Sequence, residues 1–233
     1  MRMSKKVSRA VVVPAIALSA LALGSASFAA SSYNVTAGSA PATDATAIPP
    51  VPPVAYTANT TGPLPQVTFT DTTSGAVLNC ESASAAGTIT VGTNRIGTGI
   101  GTVDSTGWNN CTGPAGLQLT VTGSHPWSLN ATGDTAGGVT AGTVSGVNAH
   151  VADNGGGCDF DVTGSVAGSY TNGTSNGTLT LPGTSTTLTI SNVSGFLCGF
   201  AGIRSGDSAS FRATYQVAAD NADYNPIQIT SNP

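Results

Sequence analysis

From Gln66 onwards, apolar and polar residues alternate with a period of two. Val67 and Phe69 alternate with threonines, as do Ile89 and Val91, then Leu117, Leu119 and Val121, Leu179 and Leu181, Leu188 and Ile190, and finally Phe211, Ala213, Tyr215 and Val217. This alternation turns one face of each strand to a core and the other to water. Threonine suits the wet face, because its branched Cβ fits a pleated backbone while its hydroxyl stays solvated. Turn signals such as "SGA", "DNGGG", "NGTSNG" and "LPGT" separate the runs. The pattern predicts an all-β domain over residues 66–218, an antiparallel β-sandwich or jelly-roll-like fold of about ten to twelve short strands without an amphipathic helix.

The flanking segments read differently. Residues 1–29 have the parts of a secretory signal peptide: Arg2, Lys5, Lys6 and Arg9, the apolar run "VVVPAIALSALALG", and "SASFAA" with Ser27 and Ala29 at the cleavage positions. Residues 30–65 are rich in Ala, Thr and Pro and culminate in "AIPPVPPVAYTANTTGPLP", which predicts an extended arm or linker. The alternative for its first part is that "SSYNVTAG" supplies an edge strand. Residues 219–233 read as a C-terminal tail. After residue 29 no apolar run approaches the roughly 20 residues of a membrane-spanning helix, so the chain reads as secreted, extracellular or cell-surface associated.

Cleavage at that site changes the charge. It leaves Arg95, Arg204 and Arg212 against eleven acidic residues, with no lysine. Such a surface repels phosphate backbones, which argues against nucleic acid as a partner. Absence of lysine also rules out Lys–Asn isopeptide cross-links as covalent reinforcement.

Reinforcement then falls to Cys80, Cys111, Cys158 and Cys198, an even number on an exported chain. None has the close C-x2-C spacing of zinc sites, and an oxidising compartment favours disulfides. The expected pairs are Cys80 with Cys111 and Cys158 with Cys198, each within one half of the domain. A weak echo between "GTITVG" leading to "WNNCTGPAG" and "GTLTLPG" leading to "FLCGFAG" raises the prospect of two related halves.

Candidate chemistry is sparse. "GTSNG" at 173–177 matches the G-x-S-x-G pattern of a nucleophile elbow, yet a strand is expected after it and both histidines, His125 and His150, come earlier in the chain. Glu81 is the sole glutamate, and Asp159 and Asp161 fall on one side of a strand. No catalytic residue is assigned, and the chain is not expected to be an enzyme. No cofactor is expected; calcium is the one ligand considered, for the Asp/Asn-rich "DNGGGCDFD" and "DNADYNP". Trp108 is expected to pack in the core beside a disulfide, leaving Trp127 and Tyr224 as candidate ligand-binding residues.

The segments "GWNNCTGP", "CDFDVTGSVAGSYTNGT", "LTISNVSGFLCG" and "SASFRATYQV" resemble uncharacterised secreted proteins of actinobacteria, over residues 66–218. The resemblance implies an exported, cysteine-containing β domain and no particular activity. The expected function is a non-catalytic secreted or cell-envelope protein, structural or adhesive, with an envelope or extracellular partner. A carbohydrate-binding module is the alternative, ahead of a secreted hydrolase or an outer-membrane pore.

Overall fold

The computed structural model describes residues 32–184 and 186–232. The expected signal peptide, residues 1–29, lies outside them. The described chain begins with β1 (Ser32–Ala37), β2 (Val54–Thr60), β3 (Val67–Asp71), β4 (Val77–Ile89) and β5 (Gly92–Arg95). It continues through β6 (Gly101–Thr112), β7 (Gln118–Gly123), β8 (Trp127–Ala136), β9 (Val139–Asp153) and β10 (Asp159–Thr171). β11 (Gly177–Pro182), β12 (Leu188–Ser194), the single-turn helix α1 (Phe196–Phe200), β13 (Ser208–Ala219) and β14 (Ile227–Asn232) complete it.

The fold is all-β and antiparallel, with opposing layers on one shared core. Hydrogen bonds also join those layers along both edges, so the sandwich is a closed sheet. Five strands, β4, β6, β9, β10 and β13, run its full height. Three further positions are filled by two strands end to end: β2 then β3, β7 then β8, and β11 then β12. That makes eight positions in all, connected in chain order as an up-and-down meander. β4 pairs with β2, β3 and β6. β7 and β8 bridge β6 to β9, and β9 pairs with β10. β11 and β12 bridge β10 to β13. Finally β13 returns to β2 and β3, closing a barrel. Closure removes the exposed edges that would otherwise invite another chain to pair.

Both ends of the barrel are covered. At the end where β4, β10 and β13 begin, the connection carrying α1 lies over the opening. There Cys198 is bonded to Cys158, the Leu197 amide donates to the Gly157 carbonyl at 2.8 Å, and Ile203 is buried. At the opposite end a small sheet in the order β14–β1–β5 forms a cap. It is tied to the barrel by Tyr170, whose hydroxyl donates to the Ile227 carbonyl at 2.9 Å. Asn172 adds two bonds, donating to the Ile229 carbonyl and accepting the Ile229 amide.

This cap corrects two expectations. Residues 32–65 are not a free arm, and residues 219–232 are not a tail. β1 is the central strand of the cap and buries Tyr33, Val35 and Ala37, while β14 buries Ile227 and Ile229. β2 belongs to the barrel wall, burying Val54, Tyr56, Ala58 and Thr60 at alternate positions. The alternation was present in "SYNVTA" and "VAYTANT", but the prolines that dominate the composition sit between the strands. The domain therefore spans all the described residues, and its long strands of 12 to 15 residues exceed the short ones expected.

Burial sets the polarity of the wall. Val144, Ala149, Val151, Phe160, Val162, Ala213 and Val217 point inward, whereas their neighbours Asn148, His150, Asp161, Thr163, Thr214 and Gln216 point outward. A membrane-spanning barrel needs the reverse, an apolar outer band flanked by aromatic girdles. The disulfide-bonded protein is therefore expected to run as one monodisperse species without detergent in size-exclusion chromatography. Aggregation that only detergent relieves would show that this assignment of faces is wrong.

Candidate functional site

Inside the barrel lies a cavity of about 180 Å3. Its lining is almost wholly aliphatic and aromatic, and it extends from Leu78 and Leu188 near the helix-covered end to Ile100 and Ile229 at the capped end. An eight-stranded barrel is just wide enough to be filled by side chains or to hold one small ligand, so the size of the inward residues decides which. Here many are small: Ala58, Ala85, Ala131 and Ala149 all line the cavity. On β9 and β10, Gly142 and Gly168 face each other in register and carry no side chain at all. A Cβ at Gly142 would collide with the Asn130 carbonyl, and one at Gly168 would sit 2.6 Å from the Thr180 carbonyl. Close approach of neighbouring backbones thus forces glycine at both places; the Leu181 side chain packs over Gly168, whereas a Cβ at Gly142 would meet backbone atoms alone.

The polar groups that reach the interior are mostly satisfied by the wall itself. Tyr56 donates to the Thr102 carbonyl at 2.8 Å, and Tyr170 donates to Ile227 as described. Burial raises the pKa of both hydroxyls well above the usual phenol value, so both remain neutral donors at any physiological pH. Trp127 is buried, lines the cavity, and donates its indole N–H to the Ser124 carbonyl at 2.8 Å. His125 stacks on it, ring centroids 4.5 Å apart, and Trp108 packs against it at 6.3 Å.

Trp127, one of the two candidate ligand-binding residues, does not stand on the surface. Its inward position on β8 makes it part of the chamber wall, with no face open to a sugar at the surface. Tyr224 is half-buried in the short turn between β13 and β14 and does not share a face with Trp127. Trp108 is half-buried against the core, beside the stapled β4–β6 pair. Both expected disulfides are present, Cys80–Cys111 and Cys158–Cys198, and no cysteine is free among the described residues.

The Asp/Asn-rich turns spend their oxygens on their own backbone. Asp153 accepts the Gly155 and Gly157 amides, Asn221 accepts the Asp223 amide, and Asn225 bonds both the amide and the carbonyl of Ala219. Among the described residues no cluster of three or more His, Cys, Asp or Glu side chains is arranged to hold a metal. The "GTSNG" match lies in the turn from β10 to β11, and a strand follows Ser175 where an elbow requires a helix.

One polar constellation escaped the sequence reading. On the outer wall His150 sits between two carboxylates, with Nδ1 2.8 Å from Asp161 and Nε2 3.2 Å from Asp159. Asn192 donates to the other oxygen of Asp161 at 2.7 Å. Only the β9–β10 register, which sets His150 opposite Asp161, brings them together. The hydrogen bond to Asp161 raises the His150 pKa above its ordinary value, against a smaller opposing effect of burial. The Asn192 bond, followed by the His150 bond, lowers that of Asp161.

The signs follow from linkage. The His150 contribution to stability is fully present below about pH 6.5 and is lost as pH rises through the folded value. The Asp161 contribution is present above about pH 4 and is lost as pH falls through its own. His150→Gln should therefore lower Tm by about 1–3 °C at pH 5.5, a small effect because the pair is exposed, and leave it unchanged at pH 8.5. An equal loss at both pH values would mean that the ring acts by packing alone.

Comparison with known proteins finds no matching family model, no matching curated protein and no matching solved structure.

Proposed function

We propose that this is an exported, non-catalytic protein that holds a small apolar molecule inside its barrel. The observation that carries this reading is the almost wholly apolar cavity of about 180 Å3 inside the barrel. An apolar cavity of roughly 150 Å3 stays dry and takes up benzene or xenon, so this one suits a molecule of about seven non-hydrogen atoms. Its extent along the barrel favours a chain over a compact ring. Export is supported by the basic and apolar N-terminal sequence and by two disulfides, which belong to an oxidising compartment. The resemblance to secreted actinobacterial proteins points the same way. The non-catalytic reading rests on the histidines: His150 is committed to two carboxylates on the outer wall, and the Nε2 of His125 to the Thr106 hydroxyl at 2.9 Å.

Titration with n-heptane should show saturable 1:1 binding and a rise in Tm. Ala58→Leu, which places three more carbons in the cavity, should abolish that binding while the fold persists. Heptane binding unaffected by Ala58→Leu would place the ligand elsewhere and defeat the proposal.

A structural or adhesive role is the second reading. It is favoured by Phe196 and Phe200, which stand 83% and 74% exposed on α1. Under that reading Phe196→Ser with Phe200→Ser would release the protein from the cell-surface fraction, and Ala58→Leu would not.

A further inference from the structure

Tyr215 differs from the other tyrosines of the interior. Tyr33, Tyr56 and Tyr170 each donate a hydroxyl to a backbone carbonyl, of Gly133, Thr102 and Ile227 respectively. Tyr215 is only 7% exposed, points inward from β13 and lines the cavity. Its hydroxyl has no hydrogen-bond partner among the described residues. It is not sealed in packing either, since among the described residues the one buried side-chain polar atom that is sealed and unpaired is Nδ1 of His125. The Tyr215 side chain lines the cavity, and that is the space assigned here to its unsealed hydroxyl.

Register places it two strands along the wall from the paired glycines. Tyr215 pairs with Leu179 on β11, and Leu179 pairs with Tyr170 on β10. The next inward position on β10 is Gly168, which faces Gly142. A buried polar group without a partner is costly, and such groups in folded proteins generally meet a partner, water or a ligand. The surroundings offer too few polar groups to hold a water with the two to four bonds it requires.

Resting on the apolar-ligand reading above, we infer that the chamber selects a molecule with one terminal hydrogen-bonding oxygen on an aliphatic body, a medium-chain alcohol or its carbonyl counterpart, recognised by the Tyr215 hydroxyl. A phenol both donates and accepts, so it can meet either group. Burial raises its pKa far above the usual phenol value, keeping it neutral. A neutral hydroxyl without a cation beside it does not compensate a buried carboxylate, so fatty-acid anions are disfavoured.

The test uses two isosteric probes, 1-hexanol and n-heptane, titrated into the secreted, disulfide-bonded protein and into Tyr215→Phe. The variant keeps the ring and removes only an unpaired oxygen, so its Tm should be equal or higher. Hexanol binding should weaken about tenfold while heptane binding is unchanged. Tyr33→Phe is the control: Tyr33 does not line the cavity, and the change breaks its bond to Gly133, should lower Tm, and should leave the hexanol-to-heptane ratio as in the parent. If Tyr215→Phe changes both probes equally or neither, the inference is wrong while the apolar chamber stands. If the parent protein binds neither probe, the chamber reading falls and this one with it.

Discussion

Replacing Cys158 and Cys198 together by alanine is expected to lower Tm by about 7–15 °C. The bond closes a loop with a sequence separation of 40, and the Cys80–Cys111 bond one of 31. By the loop-closure model each restricts the unfolded chain by an amount worth about 3.5–4 kcal/mol. One kcal/mol moves Tm by about 2–4 °C in a chain of this size. All four sulfurs sit in buried side chains, so alanine is the replacement that adds no polar group to the core. The two double variants should be similar in Tm. Only the Cys158/Cys198 variant should also loosen the connection over the barrel end, seen as faster amide exchange at Leu197 and Ile203. A shift below about 3 °C for both pairs would mean that the unfolded chain is already restricted by other means.

The second large effect is expected at Phe160. Its side chain is fully buried on β10 and lies 6.3 Å, centroid to centroid, from Phe69 on β3, a contact that crosses the barrel near the helix-covered end. Phe160→Ala removes the largest fully buried side chain of that strand, and the closed wall has little freedom to collapse around the gap. Denaturant unfolding should show a loss of about 3–5 kcal/mol, with an unchanged slope against denaturant. A loss under about 1.5 kcal/mol would show that the walls move inward readily, which is incompatible with a chamber that holds its shape when empty.

The all-β class, the two disulfide pairs and the inward faces of β11 and β13 were legible in the sequence because each rests on short-range pattern or on cysteine count. The barrel was not, because closure is a relation between the first wall strand and the last. β2 was hidden among prolines, and without it the half of β13 from Tyr215 to Ala219 has no partner to close against. The missing inward bulk at Gly142 and Gly168 looks in sequence like ordinary turn glycine. Which way Trp127 faces was left open for a related reason. Which side of a strand faces inward depends on bulges such as that between Gly164 and Ser165, and a shift of one position exchanges the faces. Tyr215 carried no signal of its own beyond its place in an alternating run. Its unpaired hydroxyl becomes visible only beside three tyrosines whose hydroxyls are paired.

The central claim, an open apolar chamber inside the barrel, is tested most directly by crystallography of the disulfide-bonded protein under xenon pressure. The account predicts xenon density within the barrel, between the Gly142–Gly168 pair and Tyr215, and its disappearance in Ala58→Leu. A filled interior, with xenon only on the outer surface or nowhere, would contradict it.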